Sequence, residues 1–257
     1  MFDTIGVPMA LLAPISDPSH PRREAFAALK AGLRSANPTP LEELIPSSVP
    51  PLDRLLGGGF PRGMLVAFEG DAGRWSIGAR LIAQVTRSAI AAVVDDGGLY
   101  PPSLARAGAR LERVMVVPAT TPLAVARAAD VLLRSRACRL VLMPAVALRD
   151  VLWQRLATLA QRSGVLLIAI ASRVAAPLAA AAGLRLRCKR EELVVHGTNG
   201  LWCTFAGYDV RAEVCKDYKR VANGASAQVR VVEPLDGACT RHRDVGVREA
   251  FADVAVR

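Results

Sequence analysis

The stretch with the most chemical potential is Val49 to Ile77, VPPLDRLLGGGFPRGMLVAFEGDAGRWSI. Met64–Glu69 is a short apolar run bounded by turn residues, which predicts a buried strand. Gly70-Asp71-Ala72-Gly73 follows, and then a helical pattern. Strand, glycine-containing loop and helix are the setting of a phosphate-binding loop, whose backbone N–H groups cradle an anion at the helix N-terminus. That loop needs G-x-x-x-x-G-K-[ST], the lysine for the outer phosphates and the hydroxyl for magnesium. Counted from Gly70, the second glycine falls on Trp75, the lysine on Ser76 and the hydroxyl on Ile77. The chain has no G-K-[ST] anywhere. Arg74 could supply a cation if the loop is shortened, although a planar guanidinium does not reproduce an ammonium in that slot. Trp75 would then fill the emptied phosphate pocket or pack on the end of the sheet.

Other reaction chemistry has little support. The five cysteines, at 138, 188, 203, 215 and 239, form no C-x-x-C pair and are expected to be reduced structural thiols of a cytoplasmic protein. Three histidines, His20, His196 and His242, have no partner at metal-ligand spacing, so no metal site is expected. No apolar run reaches the roughly 18–20 residues of a membrane span, and the first residues lack a secretory pattern. The net charge of +10 and a pI near 10.1 favour a polyanionic partner, nucleic acid before membrane. Arg211, Lys216, Lys219, Arg220 and Arg230 lie on and around the turn between two closing strands and form the candidate DNA patch.

These residues need a frame to position them. In 257 residues with 52% hydrophobic content, three regions are expected. Residues 1–44 hold a Pro-rich arm, a helix over Arg22–Leu33 and a Pro-rich linker. Residues 45–232 form the core, and residues 233–257 a flexible polar tail. Phe26, Leu29 and Leu33 give the first helix one apolar face, and a helix of about twelve residues is marginal alone in water. That face is therefore the candidate contact for a partner protein or a second copy.

Within the core, strands are expected at Met64–Glu69, Ala91–Asp95, Arg113–Val117, Leu140–Met143 and Val165–Ile170. Helices are expected at Ser76–Arg87, Pro102–Ala107, Pro122–Arg134 and Arg149–Arg162. Continuous apolar strands alternating with helices predict a parallel sheet covered on both faces. After Gly183 the pattern changes to antiparallel strands at Leu184–Lys189, Glu192–His196, Tyr208–Cys215 and Ala227–Val232.

In order and spacing, several stretches resemble the RecA-type recombinase core. They are Pro50–Gly63 before the loop, Asp96–Val114 after the second strand, Pro122–Ala147, Val165–Arg173 and Lys216–Val232. The resemblance implies an α/β, RecA-like (P-loop NTPase-type) core with a mostly parallel central sheet, C-terminal antiparallel strands and an N-terminal helix. It also implies where catalytic groups would sit. The water-priming glutamate aligns with Asp96, and the Walker B aspartate falls near Pro144. The polar sensor becomes Ala169-Ile170-Ala171-Ser172, with Arg173 kept. The segments that would form DNA loops, Ala147–Asp150 and Val174–Gly183, are short or apolar. Phosphoryl transfer depends on positioning and charge neutralisation, so losing lysine, magnesium anchor and sensor together is expected to remove it.

The pattern resembles the ImuA-type proteins better than it does the recombinase. That resemblance implies a non-catalytic adaptor in SOS-induced translesion synthesis, acting beside a Y-family-like mutagenesis protein and a DNA polymerase, with RecA and DNA as further partners and no cofactor. Gly70, Gly73, Arg74, Trp75, Ser76, Ile77 and Asp96 are then a vestigial nucleotide site. Two alternatives stay open. One is an ATP- and magnesium-dependent recombinase working through Arg74 and Asp96; the other is an SOS cell-division inhibitor.

Overall fold

The computed structural model describes residues 43–196, 204–217 and 221–232. The chain divides between Glu42 and Glu43, and only the second unit is described. The expected helix with Phe26, Leu29 and Leu33, and the tail from residue 233, lie outside the described residues.

A two-stranded ribbon of β1 (Leu44–Ile45) and β2 (Phe60–Pro61) opens the unit, with α1 (Pro50–Leu55) between its strands. The core then alternates β3 (Leu65–Gly70), α2 (Arg74–Thr86), β4 (Ala91–Asp95), α3 (Pro101–Arg106) and β5 (Val114–Pro118). It continues through α4 (Pro122–Ser135), β6 (Leu140–Pro144), α5 (Asp150–Ser163), β7 (Leu166–Ile170) and α6 (Ala176–Ala181). Three long strands close it: β8 (Leu184–His196), β9 (Thr204–Asp217) and β10 (Ser226–Val232).

All eight strands from β3 onward share one sheet, in the order β10-β9-β8-β3-β7-β6-β4-β5. β8, β3, β7, β6, β4 and β5 are parallel neighbours, and β9 and β10 add antiparallel pairs. The strands covered on both faces are apolar throughout, as in LVLMP of β6 and LLIAI of β7, both buried along their whole length. One face packs under α2 and α1, where Ile77, Leu81, Ile82 and Leu52 meet Val66, Phe68, Leu142 and Ile168. The other packs under α4 and α5, where Leu133, Trp153 and Leu156 meet Ala67, Val141, Met143 and Leu167. Local signals set the helix ends. Thr121 caps α4 by accepting the Ala124 N–H at 3.2 Å, with Pro122 in the first turn. Gly164 ends α5 in the left-handed conformation.

The last three strands correct the expectation in two ways. Leu184–Lys189 and Glu192–His196 are one strand, β8, with a register shift between Arg190 and Glu192. β8 also runs parallel to β3 and becomes antiparallel only towards β9. Its alternation survives, with Leu184, Leu186 and Cys188 turned into the α1/α2 side of the core and Arg185, Arg187 and Lys189 on the opposite face. Within Val174–Gly183 a short helix, α6, forms, with Leu178 buried against the α4/α5 side.

Candidate functional site

The loop after β3 is shorter than a six-position count from Gly70 assumes. Gly73 is already the N-cap of α2, at φ 76°, and Arg74 is the first helical residue. Ser76 and Ile77 are therefore buried residues of the first helical turn, not loop positions. This corrects the alignment: only Asp71 and Ala72 separate the two glycines, and Arg74 follows the second one. The Arg74 guanidinium turns back and donates from Nη1 to the Gly70 carbonyl at 2.5 Å. Trp75 is half-buried and packs against the α1/α2 side of the core.

The closing strands pack tightly on this loop. A Cβ on Gly70 would lie 1.7 Å from the Cys188 carbonyl oxygen of β8. One on Gly73 would lie 2.8 Å from a Val210 methyl of β9. Burial pushes the Cys188 thiol up to about 12, and it raises Cys138 and Cys215 as well. These thiols stay protonated at neutral pH and offer no nucleophile.

The end of β3 carries a residue that the sequence reading passed over. Glu69 is 5% exposed and accepts from Arg187 Nε at 2.8 Å, Arg185 Nη2 at 3.2 Å and the Val174 N–H at 3.3 Å. It joins three neighbouring pieces: β3, β8 and the turn after β7. Asp95, at the end of β4, was also passed over in favour of its neighbour. Its Oδ1 accepts the N–H groups of Gly97, Gly98 and Leu99 at 3.0, 3.0 and 2.9 Å, shaping the turn, while Asp96 is exposed. At the aligned magnesium-anchor position, β6 ends in buried Pro144, which has no carboxylate to offer. Among the described residues no group of three His, Cys, Asp or Glu side chains could hold a metal ion, and no helix is long and apolar enough to cross a membrane.

The candidate DNA residues separate in the structure. Arg211 pairs with Glu191 at 2.5 Å, and Arg230 grips Asp209 through two bonds of 2.8 and 2.9 Å. Lys216 donates to the Ala179 and Ala180 carbonyls at 2.8 and 3.0 Å, tying β9 to the end of α6. Lys219 and Arg220 lie outside the described residues. Arg211 and Arg230 share the outer face of the sheet, each held by a carboxylate, so they do not form a patch of unpaired charge with Lys216.

The Arg230 hydrogen bonds hold the Asp209 carboxyl below its ordinary range. A depressed carboxylate contributes stability above its unfolded pKa, about 3.9, and loses it as pH falls through the lower folded value. Stability is thus expected to drop below about pH 4 in the parent, and this part of the drop to be missing in Asp209→Asn. Urea midpoints between pH 3 and pH 6 measure it; parallel curves for the two proteins would show that the pair carries no linkage.

No protein-family model matches the chain. It is 34% identical over 107 residues to Protein RecA of Picosynechococcus sp., a match covering 40% of this chain and 31% of that protein. The chain thus spans about a third of the length of this curated relative. In structure it is similar to the RadB recombinase, with a TM-score of 0.56 and 19% identity over 73% of this chain and 96% of that one. It is also similar to a KaiC-like protein from the hyperthermophilic archaeon Pyrococcus horikoshii OT3, with a TM-score of 0.54 and 15% identity over 75% and 100% of the two chains. The fold is therefore the RecA-like α/β fold, with its mostly parallel sheet and added antiparallel strands.

Proposed function

We propose that this chain is a non-catalytic RecA-like accessory protein of the ImuA type. In this reading it acts as an adaptor in SOS-induced translesion mutagenesis, contacting a Y-family-like mutagenesis protein, a DNA polymerase, RecA and DNA. The observation that carries the reading is the loop of Gly70–Gly73. Two residues separate its glycines, its following cation is bonded to the loop's own carbonyl, and strands β8 and β9 fill the space beside it. A triphosphate needs donors aimed at its oxygens and a cation free to follow charge as it develops. Arg74 is committed to Gly70, and Pro144 leaves magnesium without its usual anchor. The sequence match to RecA and the shared fold support the lineage. Phe26, Leu29 and Leu33 are the proposed partner contact, made without nucleotide gating.

Turnover and partner capture test the reading together. Purified protein is expected to hydrolyse magnesium-ATP no faster than background and to bind ATP more weakly than about millimolar, only ~4 kcal/mol of affinity. Without nucleotide it is expected to retain the mutagenesis protein and polymerase in a pull-down. Magnesium-dependent turnover that disappears in Arg74→Ala would overturn the proposal and restore the ATP-dependent reading through Arg74 and Asp96. Failure to retain either protein would overturn the adaptor part.

A further inference from the structure

The positive charge of the described unit gathers at the end of the sheet opposite the Gly70 loop. Five adjacent parallel strands, in the order β5-β4-β6-β7-β3, are each preceded by arginine. Arg110 and Arg113 precede β5, Arg87 precedes β4, Arg136 and Arg139 precede β6, Arg162 precedes β7, and Arg62 precedes β3.

Hydrogen bonds join these positions into one row. Arg113 Nη1 donates to the Arg87 carbonyl at 2.8 Å, and the Arg139 N–H to the Ile90 carbonyl at 2.9 Å. Arg136 Nη2 donates to the Arg162 carbonyl at 3.3 Å, and Arg62 Nε to the Gly164 carbonyl at 3.0 Å. Among the described residues the carboxylates within the row are Glu43, shared by Arg62 and Arg139, and exposed Glu112, and Asp217 lies beyond its β3 end at the start of β8. Arg110 and Arg113 cap the carbonyl end of α2, which accounts for their placement but leaves their charge uncancelled. Arg87, Arg110, Arg136 and Arg162 are exposed.

The other surfaces contrast with this one. Where the strands end, Asp71, Asp95, Asp96 and Asp150 stand beside Arg74, Arg149 and Arg173. On the outer face of β8–β10 the exposed arginines are held by carboxylates, as in Arg211 with Glu191 and Arg230 with Asp209. Five strands at ~4.8 Å spacing make the arginine row about 19 Å long, the length of about six nucleotide steps at ~3.4 Å along a duplex strand.

We propose that this arginine row, at the end where the parallel strands begin, binds the phosphodiester backbone of nucleic acid without reading sequence. Guanidinium groups suit phosphate oxygens, and a row without base-reading geometry positions a backbone rather than selecting a site. The proposal rests on the accessory reading only in taking nucleic acid as the partner class.

The test is an anisotropy titration of labelled oligonucleotide, single-stranded and duplex, at several salt concentrations. Combining Arg87→Gln, Arg110→Gln and Arg136→Gln is expected to weaken binding about tenfold or more at low salt. It should also reduce the log–log salt slope by about 2–3, since each lost phosphate contact removes ~0.7–0.9. Changing Lys189, Arg211 and Arg230 together to glutamine on the outer sheet face should alter affinity less than about twofold. Thermal melts check folding. Should the first triple be unfolded, the exposed pair Arg136→Gln and Arg162→Gln replaces it and must still lower both affinity and slope. Unchanged binding in the row variants, loss confined to the sheet-face variant, or equally tight binding of polyglutamate would each overturn the proposal. If the parent binds no oligonucleotide this surface assignment falls, while the turnover and pull-down results stand on their own.

Discussion

Gly70→Ala is expected to lower stability by about 3–5 kcal/mol, combining a strained backbone with an overpacked strand contact. Gly70 has φ 133°, a conformation that L side chains rarely adopt. The added Cβ would meet backbone, not a yielding side chain: the Cys188 oxygen at 1.7 Å and its carbonyl carbon at 2.7 Å. Those atoms belong to β8, paired in register with Gly70, so relief requires moving β8 away from β3. A chain of this size loses about 2–4 °C of Tm per kcal/mol, so a fall of about 6–20 °C is expected in a thermal melt. Two glycines calibrate the result. Gly97, at φ 99° with nothing within 4 Å of its virtual Cβ, isolates the backbone cost, about 1–3 kcal/mol. Gly73→Ala adds contact with Val210 methyls at 2.8 and 3.0 Å, which can shift, so its effect should fall between the other two. A Gly70→Ala protein melting within about 2 °C of the parent would mean that β8 does not press on the loop.

Much of the frame was legible because burial writes directly into sequence. β6 and β7 are apolar at every position, as strands covered on both faces must be. Thr121-Pro122 and Gly164 mark helix ends through local chemistry alone. Pairing is different. The alternation Leu184-Arg185-Leu186-Arg187 reveals a half-exposed strand, but its parallel neighbour is β3, which lies more than a hundred residues earlier in the chain. The importance of Glu69 follows only from that register, which sets it beside Arg187. Alone, a glutamate closing an apolar run looks like a strand leaving the core. The loop was misaligned for a related reason. Spacing counted from Gly70 assumes an undeleted motif, and the observed start of α2 at Arg74 favours the shortened loop, in which Arg74 stands where the motif has its lysine. Asp95 could have been identified, since an aspartate two residues before a Gly-Gly pair can accept the N–H groups ahead of it in a local turn that needs no tertiary information. The arginine row is scattered over a hundred residues and becomes contiguous only when strand order brings five strand starts together.

Removing the Glu69 carboxylate is the second large effect expected. Arg185 is mostly enclosed, with a side chain 24% exposed, and its Nε is buried without a hydrogen-bond partner among the described residues. Glu69, whose side chain is 7% exposed, is the carboxylate this arginine bonds. Breaking a fully buried pair from one side costs about 3–5 kcal/mol, because the remaining charge has lost both solvent and partner. Arg187 is 47% exposed and can return to water, so its share is discounted to about 1 kcal/mol or less. Partial access for Arg185 lowers the total further, and Glu69→Ala should cost about 2–4 kcal/mol. Urea unfolding with an unchanged slope measures it. Glu69→Gln keeps the shape and one acceptor but not the charge, and should lie between parent and alanine variant. The decisive comparison adds Arg185→Met to Glu69→Ala. If the stranded guanidinium causes the loss, replacing it with an apolar side chain should recover about 1–2 kcal/mol. A double variant less stable than Glu69→Ala alone would place the cost in lost packing around β3 and β8 instead. Recovery would show that the end of β3, one residue before the Gly70 loop, is fixed by an internal ion pair. A loop anchored in that way needs no nucleotide to order it.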